Sequence, residues 1–258
     1  MQLYLATTPD RLDTARQYTR RLVHVACRIG EGGHLLSCPL PPRLRGGLLA
    51  LSDKKAPLLS KPMPLCREIL YLCAQRRFSG VVLDFEQPVR NDLGELCRQL
   101  ERILLPAGYR LFVPEAYAAA TPRATILLCT ALSGGKLEER LAEAAAQFGA
   151  QRLALDLQRL AMEFPLPCPS GSGTPLSLEE LRQKMAGRPV FFSSELCARY
   201  FTRTKNGVTT FTLFDDGDTM ARKLALAQDI GIEEALIMLP ETEDLLAELF
   251  SSVKRERS

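Results

Sequence analysis

Tryptophan is absent from this sequence, and histidine occurs only at His24 and His34. Two histidines cannot build a His-rich metal centre, and neither lies beside a Ser or Cys in a recognisable nucleophile–base signature. No window of about 18 residues is uninterruptedly apolar, so no membrane span is expected. The net charge of +3 is small and its basic residues are scattered, which gives nucleic acid no basic face to hold. The short run Lys254-Arg255-Glu256-Arg257 reads as a solvated terminus. Met1-Gln2-Leu3-Tyr4-Leu5-Ala6-Thr7 has neither a basic region nor a long apolar stretch. It reads as a first strand rather than a leader, and a cytoplasmic location is the expectation. Eight cysteines are present without a Cys-x-x-Cys pair. They are expected to be reduced and mostly buried.

What is present is a regular alternation. Hydrophobic residues make up 46% of the 258, enough to bury a full core in one domain over 1–258 without metal or disulfide staples. Short apolar runs fall at 3–7, 48–52, 81–86, 110–114, 125–130, 152–157, 190–194 and 235–239. Amphipathic segments separate most of them, as at 64–76, 93–105, 136–148 and 219–229. Such alternation implies parallel strands, and eight units imply a closed (β/α)8 barrel with hairpin insertions. An open doubly wound sheet is the alternative. Residues 23–29 and 34–38 flank Gly30-Glu31-Gly32-Gly33 and read as a hairpin, although 23–29 also fits a barrel strand in place of 125–130. A second hairpin is expected around Lys205-Asn206-Gly207. Ser177 and Glu180 have capping-box spacing at the start of a helix.

Active sites of such barrels lie at the carboxyl ends of the strands. The polar residues expected there are Asp53, Asp84, Glu86, Glu115, Tyr117, Asp156, Ser193, Ser194, Glu195 and Glu241, an acidic rim. Asp84 and Glu86 are two apart, so both face the barrel interior while Phe85 faces the helices. Two carboxyls this close cannot both ionise freely, and a raised carboxyl suits a general acid. The competing reading is a hydrogen-bonded or salt-bridged pair.

The stretch Phe78-Ser79-Gly80-Val81-Val82-Leu83-Asp84-Phe85-Glu86 resembles the Asp-Gly-x-Asp-x-Asp-x-Glu strand of the family 18 glycoside hydrolases, the chitinase-like barrels. Gly80, Asp84 and Glu86 match, whereas Ser79 and Val82 replace the first two Asp residues. The resemblance implies Glu86 as general acid. It implies Asp84 as the carboxylate orienting the substrate's N-acetyl group, whose carbonyl attacks the anomeric carbon. A more diffuse likeness runs from Tyr200 through Phe214-Asp215-Asp216 to the last strand. Leu153-Ala154-Leu155-Asp156 keeps the Asp of the family's Met-x-Tyr-Asp strand and loses its Tyr. The Trp that floors the family's sugar site has no counterpart, and Tyr117, Tyr200 and Phe201 are the aromatic substitutes available.

The resemblance therefore implies a divergent or degenerate member acting on N-acetylamino sugar glycans. Carbohydrate is its partner, no cofactor is required, and a sporulation role suits a cytoplasmic location. Asp156 and Tyr200 are its supporting residues, and the strand-end residues Glu115, Tyr117 and Glu241 are further substrate-binding candidates. A catalytically silent barrel that binds carbohydrate or a protein is the alternative, and an acidic rim holding a divalent cation is a third reading. The turn Ser133-Gly134-Gly135 before a helix is more often a plain connection than a phosphate cradle.

Overall fold

The computed structural model describes residues 1–38, 40–169, 171–205 and 207–255. Asn206 of the expected hairpin turn and the end of the basic tail lie outside the described residues.

Eight parallel strands close on themselves: β1 (Gln2–Thr7), β2 (Leu22–Ile29), β3 (Leu48–Ser52), β4 (Gly80–Asp84), β5 (Arg110–Pro114), β6 (Thr125–Cys129), β7 (Leu153–Asp156) and β8 (Glu234–Met238). Each pairs with its neighbour in sequence, and β8 returns to β1 with Leu3 opposite Ala235. The helices are α1 (Leu12–Tyr18), α2 (Met63–Arg76), α3 (Asn91–Leu104), α4 (Leu137–Phe148), α5 (Leu178–Met185), α6 (Gly217–Asp229), α7 (Leu239–Thr242) and α8 (Leu246–Arg255).

Strand alternation sorts the apolar residues into two cores. Leu49, Leu51, Val81, Leu83, Leu111, Val113, Ile126 and Leu128 face outward and pack with helix residues such as Ile69, Cys73, Leu96 and Leu100. Ala6, Val23, Leu48, Ala50, Val82, Phe112, Leu127, Ala154 and Leu236 fill the interior. The amino-terminal end of the barrel is plugged by Arg110, which donates to Glu234 at 2.5 and 2.8 Å and to the Tyr4 hydroxyl at 2.9 Å. Gly80 is required there, because a Cβ would lie 2.4 Å from the Arg110 carbonyl oxygen.

Two expectations are corrected. Residues 190–194 are not a barrel strand. Phe191–Ser193 is the edge of a separate five-stranded antiparallel sheet with Ala198–Lys205, Val208–Phe214, Ala161–Leu166 and Thr174–Pro175. This sheet and α5 form an insertion between β7 and α6. The eighth barrel strand is β2, whose Leu22–His24 pairs parallel with β1 and whose residues 23–28 pair parallel with β3, while Cys27–Ile29 also pairs antiparallel with Leu35–Ser37. The capping box forms as expected, with Glu180 N–H donating to Ser177 Oγ.

The insertion is tied to the barrel by a buried ion pair. Lys223 on α6 donates to Asp215 at 2.7 Å and to the Thr130 carbonyl at 3.2 Å, with neither charged side chain exposed. Asp215 also accepts from Leu160 N–H at 2.9 Å and from the Thr219 hydroxyl at 2.9 Å. One carboxylate thereby joins both ends of the insertion to the end of β6.

Candidate active site

The small interior side chains Ala6 and Ala50 leave the carboxyl end of the barrel unfilled. A cavity of about 490 Å³ opens there, floored by Ala6, Val23, Val25, Ala50, Val82, Leu127 and Leu236. Its polar wall comprises Asp84, Glu86, Glu115, Cys129, Arg140, Asp156 and Gln158. Val82 and Asp84 point inward, and Phe85 points to the outer core, where its ring meets Tyr117 edge-on at 5.8 Å.

Strand β4 ends at Asp84, two residues earlier than expected. The cause is Asp53, which follows β3 and is 1% exposed. Its carboxylate accepts Glu86 N–H at 3.0 Å and Gln87 N–H at 3.1 Å, drawing the backbone out of the ladder. Asp53 thus fixes the turn that carries Glu86. The next residues are held by Arg90, which donates to the carbonyls of Ala56 and Pro57 and to Asp92. That pairing keeps the Asp92 carboxyl down at about 2.

The Asp84 and Glu86 carboxyls have no protein hydrogen-bond donor among the described residues, so the salt-bridged reading of the pair is not met. Burial pushes Asp84 up to about 6, with the charges of Glu86, Asp53 and Glu241 adding to the effect. Asp156 ends β7 and lies deeper. Burial pushes it up to about 7, and the charges of Asp84, Glu241 and Glu86 act in the same direction. Gln158 opposes this by donating to Asp156 at 2.7 Å, while its carbonyl oxygen faces the Cys129 thiol at 3.5 Å. Cys129, at the end of β6, is exposed and faces the cavity. Glu115 pairs with Arg140 of α4, the only cationic residue on the described cavity wall. Glu241 stands at the rim on α7, and burial together with the charge of Glu86 raises its carboxyl.

Some expected site residues are not brought to the cavity. Tyr117 is buried beneath the 85–90 turn, where its hydroxyl accepts Arg90 N–H at 3.3 Å, so it braces the turn from behind. Tyr200 lies on the inserted sheet between Phe191 and Phe211, with ring centroids 5.5 and 5.2 Å away. Phe201 is fully buried against Phe214. None of the three supplies a stacking platform, and Phe85 is the only aromatic residue on the described cavity wall. Ser193 and Glu195 belong to the insertion, with Glu195 against the first turn of α4, and neither lines the cavity. Among the described residues no three His, Cys, Asp or Glu side chains are grouped to hold a metal ion. No described helix is long and apolar enough to cross a membrane. Gln158, Cys129 and Arg140 escaped sequence reasoning. Gln158 carried a signal, since it lies two residues after a strand-end Asp.

No protein-family model matches the sequence, and no curated protein does. Among solved structures the chain is similar to a chitinase from Chromobacterium violaceum, with a TM-score of 0.70 at 16% identity over 98% of this chain and 99% of that one. It is similar to the spore cortex-lytic enzyme SleL of Bacillus megaterium, with a TM-score of 0.67 at 12% identity over 96% of this chain and 74% of that one. It is also similar to a family 18 chitinase from Cycas revoluta solved with an N-acetylglucosamine tetramer, with a TM-score of 0.65 at 12% identity over 99% of this chain and 100% of that one. The chain therefore has the (β/α)8 barrel fold that these chitinases and cortex-lytic enzymes share.

Proposed function

We propose that the chain is a divergent glycoside hydrolase that cleaves N-acetylamino sugar glycans at the barrel mouth. The observation that carries this reading is the Asp84–Glu86 pair. Two adjacent carboxyls face an open cavity without protein donors among the described residues, and burial, helped by the charge of Glu86, raises the Asp84 carboxyl to about 6.

The chemistry follows from one proton shared by the pair. An N-acetyl N–H donating to Asp84 favours its carboxylate and shifts the proton to Glu86. Glu86 then protonates the glycosidic oxygen as that bond breaks. The N-acetyl carbonyl oxygen bonds to the anomeric carbon, giving a cyclic cation beside ionised Asp84. Water attacks that carbon and gives a proton to Glu86, which restores the pair. Asp156, steadied by Gln158, hydrogen-bonds the reacting sugar in this reading.

The test compares oligomers of N-acetylglucosamine with the same oligomers lacking acetyl groups. The proposal expects wild type to cleave only the acetylated series and Asp84→Asn to lose at least about 100-fold in kcat/KM. Equal cleavage of both series, or full activity in Asp84→Asn, refutes it. A second reading is favoured by the aliphatic floor and the absent aromatic platform, namely glycan binding without cleavage. Saturable binding with no product over many hours supports that alternative.

A further inference from the structure

A second recess lies at the opposite end of the barrel, before the starts of β2 and β3. Its volume is about 280 Å³, and it is lined by Arg16, Arg20, Leu22, His24, Leu44, Arg45, Gly46 and Gly47. Three arginines and a histidine line it, with no acidic residue on the described wall. Three separate segments contribute them: α1 gives Arg16, the α1–β2 connection gives Arg20, and the 41–47 loop gives Arg45.

The recess is built from ordered backbone. Arg76 donates to the carbonyls of Pro41 and Pro42 at 3.0 and 3.1 Å, and its own carbonyl accepts Gly46 N–H at 3.0 Å. Arg45 braces itself by donating from Nη1 to the carbonyls of Pro42 and Leu44. His24 is 3% exposed and bonds the Gly46 carbonyl through Nε2 at 3.1 Å. Gly47 has φ +80°, and a Cβ there would lie 2.8 Å from the same nitrogen. Any side chain at 47 would displace the histidine. Arg20 has no ion-pair partner among the described residues, and Arg16 has one long contact to Asp13 at 3.4 Å. The C-terminal end of α1 attracts Arg16 through the helix dipole, but Arg20 and Arg45 lie beyond that helix.

We propose that this basic recess binds the phosphate group of a small phosphate monoester. Guanidiniums match a tetrahedral oxyanion with paired N–H donors, and such charge-assisted bonds are strong. A phosphate dianion offsets the clustered positive charge, which neutral ligands leave unopposed. The recess exceeds the size of the oxyanion, leaving room for the esterified carbon body. Because the loop is already braced, little ordering cost accompanies binding. The site is separate from the mouth, so it stands or falls independently of glycan cleavage.

The test is titration calorimetry of the full chain in a phosphate-free buffer at low salt, with glycerol 3-phosphate and inorganic phosphate as probes. One site is expected. Glycerol 3-phosphate should bind more tightly than inorganic phosphate, and Arg20→Gln should weaken both by about tenfold. Arg45→Gln should do the same, but it also touches the loop. Arg20→Gln is therefore decisive, since its thermal melt should match wild type. No binding at about 10 mM of either probe, or unchanged affinity in Arg20→Gln, overturns the proposal. Binding of inorganic phosphate alone overturns the monoester assignment.

Discussion

Lys223→Met isolates the knot that holds the insertion to the barrel. Lys223 and Asp215 are both fully buried, and the ammonium lies 2.7 Å from the carboxylate. Methionine preserves most of the aliphatic stem but removes the charge that compensates Asp215. The carboxylate retains donors from Leu160 N–H and the Thr219 hydroxyl, which soften the loss without neutralising it. Removing one partner of a buried pair costs about 3–5 kcal/mol. In a chain of this size that corresponds to a fall in Tm of roughly 6–20 °C. Urea unfolding of wild type and variant, monitored by circular dichroism, gives the difference directly. A companion Lys223→Met/Asp215→Leu variant should recover part of the loss, because no unpaired charge remains. A loss below about 1 kcal/mol for the single variant, within the range of exposed pairs, would refute the reading of this pair as a buried anchor.

Three further outcomes follow from the mouth. Asp53→Ala removes the acceptor of two backbone N–H groups at 3.0 and 3.1 Å. It should cost about 2–4 kcal/mol and increase hydrogen exchange at Glu86 and Gln87 more than at β4, and unchanged exchange there contradicts the bracing role. Asp156 rises from 3.8 to about 7 on folding, so the native state holds a proton that the unfolded chain releases between about pH 4 and 7. Its contribution is thus fully present at low pH and lost as pH rises through 7, and Asp156→Asn should stabilise the protein at pH 8 by about 1–3 kcal/mol with no gain below pH 4. Denaturation at the two pH values checks this, and an equal effect at both contradicts it. With Asp84 at about 6, kcat/KM should decline as pH rises above about 6 because the pair loses its shared proton. A rate that keeps rising to pH 8 argues against a carboxyl acid.

The 81–86 stretch was legible because alternation alone assigns Val82 and Asp84 inward and Phe85 outward, as observed. The Ser177–Glu180 box was legible because capping is local. Residues 190–194 were misread because an apolar run carries no sign of strand direction. Phe191 could be assigned to the insertion only through its antiparallel partner Tyr200. The 22–29 segment was ambiguous for a physical reason, since its end does form an antiparallel pair beside the glycine-rich turn. Tyr117 and Tyr200 were misplaced because proximity to a strand end does not determine which way a ring turns. Arg140 reaches the cavity only through the packing of α4 beside β7 and its pairing with Glu115, a relation with no local signature.

In the proposed reaction Glu86 delivers the proton for glycosidic cleavage. Its most direct test is the rate of N-acetylglucosamine tetramer hydrolysis by wild type and Glu86→Gln under saturating substrate, followed by chromatography of the products. Measurable turnover by wild type is expected, with a loss of at least about 100-fold in kcat for Glu86→Gln and tetramer binding retained. An inert wild type, or a Glu86→Gln variant that turns over at the wild-type rate, contradicts it.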